Sequence, residues 1–351
     1  FVGVPNTGAP KAIKVLLQGD GFGNPALSES EMKKIAANLP VVYDLAPSRQ
    51  YFNNKGSYVT IVEQGLLSST SDDLSFDEVN DFLVNDHQLN AQAVTNAENL
   101  HSSSFDDYDM QTAGVHLYNI VGCKAGTIEK VIERRVKTLL GDTKIGYEIR
   151  YTPGDSTVPL ESATNLPVNS SNKYYSLKGK HATMMTNDGT RQQIVNIISG
   201  SSLTTNNITQ DISDCNLNGQ AISVFSPVSL DIVDQDGNHS GLDDDGNIFN
   251  DIPNADFMVM GEHKFAYLPT DEGQTYTVSL KGTGNGTFTI ENSEIVDNQV
   301  TQTETFNNIP VTTILKGNLD IENSLLTLDS NGDGEVDEVI TPGEEELSLE
   351  D

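Results

Sequence analysis

Apolar and polar positions in the first two hundred residues follow helical and strand periods in turn. Residues 1–4 are a short apolar run, Pro5 and Gly8 bound a turn, and residues 9–18 place Ile13, Leu16 and Leu17 on one helical side. Ser28 with Glu31 is a capping box, which predicts a helix carrying Met32, Ile35, Ala36 and Leu39 and stopped by Pro40. Ser75 with Glu78 repeats the signature before a helix through Val84, and residues 90–101 continue with Ala93, Ala97 and Leu100 on one face. This acidic helical pair, about residues 72–110, interrupts the strand–helix alternation and is expected to be a lid. Residues 115–121 predict a strand, and residues 127–140 an amphipathic helix rich in Lys, Arg and Glu. Residues 148–151 predict a further strand. Residues 190–199 predict a helix capped by Asn187 and Asp188, with Ile194, Val195, Ile197 and Ile198 inward. The sum is an α/β unit over residues 1–200, one flank of a mostly parallel sheet whose three strands lie side by side.

Beyond residue 200 the texture changes. Residues 201–214 form a Ser/Thr/Asn-rich linker, and short period-two runs follow at 229–233, 264–268, 276–280, 287–291 and 311–315. An all-β sandwich over residues 215–351 is the expected architecture. The glycines at 282, 284 and 286 precede a strand, so they predict a hairpin turn and not a nucleotide loop.

Charge sharpens this division. Residues 1–200 hold 17 Lys and Arg against 22 Asp and Glu, whereas residues 201–351 hold 3 against 29. Such a polyanion repels nucleic acid and anionic bilayers, and no apolar run is long enough to span a membrane. It suits a secreted or surface-exposed protein that binds cations, and equally simple colloidal solubility. Cys123 and Cys215 make no metal-binding spacing; two free, buried thiols are expected, with pairing the alternative.

The candidate chemistry lies at Asp155 and His181. Asp155 follows a predicted strand in a Gly-Asp turn, and His181 lies in a polar loop before a helix. An acid at a strand's end followed by a loop histidine is the second half of a Ser…Asp…His constellation in the α/β-hydrolase order. Asp155 would orient the imidazole, with Ser156 and Thr157 donating hydrogen bonds to keep it charged. His181 would serve as base and then acid. The remaining histidines show no paired-ligand spacing, so no zinc site and no catalytic cofactor are expected.

Five stretches carry a family resemblance: FVGVPNTGAPKA at 1–12, AANLPVVYDLAPSRQYF at 36–52, NIVGCKAGTI at 119–128, GDSTVPLESA at 154–163, and His181 before its helix. Over residues 1–200 they resemble the lecithin:cholesterol acyltransferase family of α/β-hydrolases, in its lipase-like branch. The resemblance implies a partial α/β-hydrolase fold, Asp155 as triad acid, His181 as triad base and an acyl-ester or lipid substrate. It also implies a small β-domain after the hydrolase. The sequence contains no G-x-S-x-G elbow. The expectation is therefore a C-terminal part of a serine lipase, esterase or acyltransferase. Its nucleophile segment would lie upstream of residue 1, and this polypeptide alone would be inactive. The rival reading is a non-catalytic surface or adhesion module whose acidic β-domain does the binding.

One acidic loop adds a metal candidate. Asp329, Asn331, Asp333 and Asp337 place oxygen ligands at positions 1, 3, 5 and 9, with Gly334 at position 6, as a structural calcium loop requires. Ile340 stands at position 12 in place of the bidentate Glu of an EF-hand, so the pattern looks closer to extracellular calcium repeats. The run from Asp234 to Asn238 is a weaker echo, and that from Asp243 to Asn247 reads mainly as a turn.

Overall fold

The computed structural model describes residues 1–21, 27–65, 68–106, 108–137, 142–243, 246–270 and 273–343. They form two compact units, the first ending at Asn216 and the second beginning at Leu217.

The first unit opens with helices α1 (Lys11–Gln18), α2 (Glu29–Ala36), α3 (Pro40–Asp44) and α4 (Arg49–Lys55). Ser28 caps α2 by accepting from the Glu31 amide, and Pro40 both ends that region and starts α3 at its first turn. Strands β1 (Val59–Gln64) and β2 (Ser69–Asp73) follow, then α5 (Phe76–Asp81) and α6 (Ala91–Leu100). Both halves of the Ser75–Glu78 capping box are formed, and Asn90 caps α6. The helical excursion is thus present. Helix α6 packs on α3, and with α4 and α5 they wall a cavity of about 400 Å³.

Strands β3 (Asn119–Gly122), β4 (Ala125–Lys137) and β5 (Thr143–Gly154) come next, then helix α7 (Leu160–Thr164), strand β6 (Lys173–Ser176), helix α8 (Asp188–Ile198) and strand β7 (Ile208–Thr209). One sheet has the order β2-β1-β4-β5 and another the order β3-β6-β7. Two expectations are corrected. Residues 127–137 are strand, not helix, paired along their length with β5, and residues 138–140 lie outside the described residues. The strand containing residues 148–151 therefore does not lie beside β3. With no crossover helix between them, it turns back antiparallel on β4. The parallel neighbours of β3 are β6 and the bridge from Val2 to Ile120. On α8, Ile194 and Ile197 pack inward as expected, whereas Val195 and Ile198 are exposed.

The cysteines are joined. Cys123 and Cys215 form a disulfide with their Cα atoms 5.2 Å apart. The expected linker is also corrected. Its Ile208–Thr209 segment is strand β7, paired with β6, and Cys215 at its end is bonded to Cys123, so it belongs to the first unit.

The second unit is all strand: β8 (Gly219–Phe225), β9 (Val228–Asp234), β10 (His239–Leu242), β11 (Ile248–Asn250), β12 (Asp256–Met260), β13 (His263–Pro269), β14 (Tyr276–Gly282), β15 (Gly286–Val296), β16 (Gln299–Val311), β17 (Lys316–Asp320), β18 (Leu325–Asp329) and β19 (Glu338–Ile340). A seven-stranded sheet, β11-β10-β9-β14-β17-β18-β19, faces a five-stranded one, β12-β13-β8-β15-β16. Alternate residues of both, among them Val224, Leu230, Leu280, Phe288, Phe306 and Leu328, share one buried core. This is a β-sandwich. Residues 282–286 do not turn a hairpin, because β14 and β15 belong to different sheets. The expected strand at 311–315 survives only as Val311, the end of β16.

Candidate active site

Strand β5 delivers the acid. It ends at Gly154, the Asp155 amide bonds the Val158 carbonyl at 3.2 Å, and Ser156 adopts φ 71° to turn the corner. The Ser156 amide donates to the Thr127 hydroxyl at 2.9 Å, so β4 braces the turn. Lys11 adds an ammonium on the Ser156 carbonyl at 3.2 Å. The Asp155 carboxylate is almost wholly buried, with 1% of its side chain exposed. Its Oδ1 accepts from the Thr157 amide at 3.1 Å and the Val158 amide at 2.7 Å. These main-chain donors stabilise the ionised form. The hydroxyls of Ser156 and Thr157 do not fill that role.

The other oxygen faces the histidine. His181 Nδ1 lies 2.9 Å from Asp155 Oδ2, and the His181 amide donates to the Asp155 carbonyl at 2.7 Å. Sequence order alone put these two residues in one constellation, and the fold brings them into contact. The imidazole heads a short 3-10 turn, His181–Thr186, with Met184 buried beneath it. The hydrogen bond to Asp155 raises the imidazole pKa above its ordinary value, opposed by burial and by the nearby Lys11 charge. Side-chain exposure of 40% leaves the ring reachable, and Nε2 bonds no described residue.

Gly122 explains how the two loops approach so closely. A Cβ there would fall 2.5 Å from the Gly179 carbonyl oxygen, 2.6 Å from Met184 Cε and 2.7 Å from Asp155 Cβ. Thr127, Lys11 and Gly122 support the pair, and sequence reading missed all three. Only Gly122, closing an apolar strand, left a trace in the pattern.

Three of the other histidines, His87, His101 and His239, lie against carboxylates. His87 Nε2 lies 2.7 Å from the buried Glu133, and His101 bridges Asp106 and the Asp44 carbonyl. Neither Asp155 nor His181 lines the cavity beside α5 and α6.

The calcium candidates lie in one turn at the end of β18, where several of their oxygens accept main-chain amides. Asp329 accepts from the amides of Gly332, Asp333 and Gly334, Asp333 from that of Glu335, and Asp337 from that of Ser330. Among the described residues no three His, Cys, Asp or Glu side chains gather to hold a metal. Asp234 likewise accepts from the amides of Asp236 and Asn238, and Asp243 from that of Asn247; Asp244 and Asp245 lie outside the described residues.

The arrangement is thus a buried acid at a strand's end that holds a half-exposed imidazole from the following loop. Residues 1–209 match the family model of lecithin:cholesterol acyltransferase, and the chain belongs to that family. Lipid acyl chemistry is thereby its functional class. No curated protein matches the chain. Among the described residues no helix is long and apolar enough to cross a membrane.

Proposed function

We propose that the first unit is the acid–base part of an α/β-hydrolase that cleaves or transfers acyl esters of lipids through a Ser-His-Asp triad. The contact between Asp155 and His181 at 2.9 Å is the observation that carries the reading. Asp155 fixes the tautomer with the proton on Nδ1, which leaves Nε2 to take the proton of a serine hydroxyl. The imidazolium then returns that proton to the departing alcohol, while the carboxylate stays ionised. Its two main-chain donors favour that state.

The nucleophile in this reading is a serine outside these 351 residues, because no G-x-S-x-G occurs among them. Hydrolysis is favoured over transfer, since water is the default acceptor. A disulfide persists where thiols are oxidised, which supports an extracellular or surface location.

The test begins with the reading frame upstream of Phe1. We expect a strand, G-x-S-x-G and a helix there. Protein extended by that segment should react with a serine-directed phosphonate, and His181→Ala should abolish the labelling. Stoichiometric labelling of the 351-residue chain itself, or an upstream elbow with the serine replaced, would overturn the proposal. The replaced serine would favour a non-catalytic surface module.

A further inference from the structure

Polar groups tie the helical excursion of the first unit to helices α3 and α4. Arg49 of α4 reaches the Asp77 carboxylate at 2.5 Å and that of Glu98 at 3.0 Å, clasping α5 and α6. The Asn90 amide donates to the Tyr43 hydroxyl of α3 at 3.3 Å. A further tie is His101, which ends α6 and opens the π-helical turn His101–Phe105. Its Nδ1 lies 2.5 Å from Asp106 Oδ1, and its Nε2 lies 2.9 Å from the carbonyl of Asp44, the last residue of α3.

Only a protonated ring serves both acceptors. A carboxylate and a carbonyl accept, and a neutral imidazole carries a single N–H. The carboxylate is the stronger acceptor and holds that proton on Nδ1, so a neutral ring turns a lone pair on the Asp44 carbonyl. That carbonyl ends a helix and has no intrahelical donor, and a cation suits both it and the C-terminus of α6. The His101 side chain is only 8% exposed, so water does not readily replace the lost bond. The carboxylates of Asp106 and Asp44 both act on the ring. Glu98 and Arg49, on the same cavity wall, pair with each other, and Asp107 lies outside the described residues. Burial raises the Tyr43 and Tyr58 hydroxyls, which stay neutral near neutral pH. Burial alone would lower the imidazole pKa, but the bonds to Asp106 and to the Asp44 carbonyl outweigh it and raise the value.

Position gives this tie a consequence. His101, Ser102 and Asp106 line the cavity of about 400 Å³ on the side of α6, and Tyr43, Ala46 and Pro47 line it on the side of α3. The bond from Nε2 to Asp44 therefore closes one wall. We propose that His101 is a proton-operated latch on this cavity: charged, it joins the end of α6 to the end of α3, and neutral, it releases residues 101–106 from α3. The guanidinium of Arg49 keeps its charge throughout, so its clasp holds α5 and the body of α6 in place. The latch is whole below about pH 6.5, where even an ordinary imidazole is charged, and opens as pH rises through the folded value. It works apart from Asp155 and His181, neither of which lines this cavity.

Hydrogen exchange of the 351-residue chain, read by mass spectrometry from about pH 5.5 to 8.5 and corrected for the intrinsic pH dependence of exchange, tests the latch. The amides of residues 101–106 should exchange about tenfold faster at the upper end, while residues 76–81 keep their protection. The midpoint should coincide with the titration of the His101 ring followed by NMR. His101→Gln cannot become charged, so its segment should exchange fast at every pH. A flat profile in the unaltered chain overturns the proposal. So does a profile that His101→Gln leaves unchanged, or a midpoint that departs from the ring's own titration. Should the variant fail to fold, the exchange and ring midpoints of the unaltered chain still support or overturn it.

Discussion

The His181 amide donates to the Asp155 carbonyl at 2.7 Å while their side chains meet at 2.9 Å. Main chain and side chain of one residue thus grip the same partner twice. The imidazole's distance from its acid is set by backbone, not by a flexible arm. Asp155→Asn keeps an acceptor for the Thr157 and Val158 amides, so the fold should persist. In protein carrying its nucleophile, ester turnover should fall roughly ten-thousandfold, because the amide favours the wrong tautomer. Asp155→Ala strands two buried amides and should also cost about 1–3 kcal/mol in urea unfolding.

The raised imidazole pKa gives two opposite pH dependences. Below the unfolded value of about 6.5 His181 is protonated in both states, and its ion pair with Asp155 stabilises the fold in full. That contribution is lost as pH rises from there through the folded value. Activity has the other sign, since a base must be neutral, so the acid limb of the rate profile should lie above pH ~6.5. NMR titration of the His181 ring checks the shift, which Asp155→Asn should remove.

Gly122→Ala tests the close approach of the loops. The added carbon meets Gly179, Met184 and Asp155. Overpacking of this kind costs about 1–3 kcal/mol, measurable by denaturant unfolding. Because Asp155 is one of the three neighbours, turnover should fall further than the stability loss accounts for.

Cys123 and Cys215 are 92 residues apart in sequence. Closing so long a loop restricts the unfolded chain strongly, so reduction, or paired Cys123→Ser and Cys215→Ser changes, should cost about 2–5 kcal/mol. Unfolding with and without reductant measures it.

The acid and histidine were legible because chain order and a Gly-Asp turn survive without coordinates. Helices with capping serines or asparagines were legible too, since a cap is local chemistry. Strand β4 was not. Its Glu133 is wholly buried on His87 and Arg135, and Arg134 pairs with the buried Glu148 of β5. A pattern reading treats such charges as solvent-facing and sees the helical spacing of Val131, Ile132 and Val136. The bulge between Ile128 and Lys130 also breaks the alternation that would have announced a strand. The disulfide escaped because its halves meet only once β3 and the segment after β7 are placed.

That bridge encloses more than a loop. Asp155 and His181 both fall between its two ends. A protease that nicked any peptide bond from residue 124 to 214 would leave both pieces covalently attached, migrating as one band until a thiol is added. Limited digestion in an oxidising medium can therefore sever the chain between acid and base without letting either drift away.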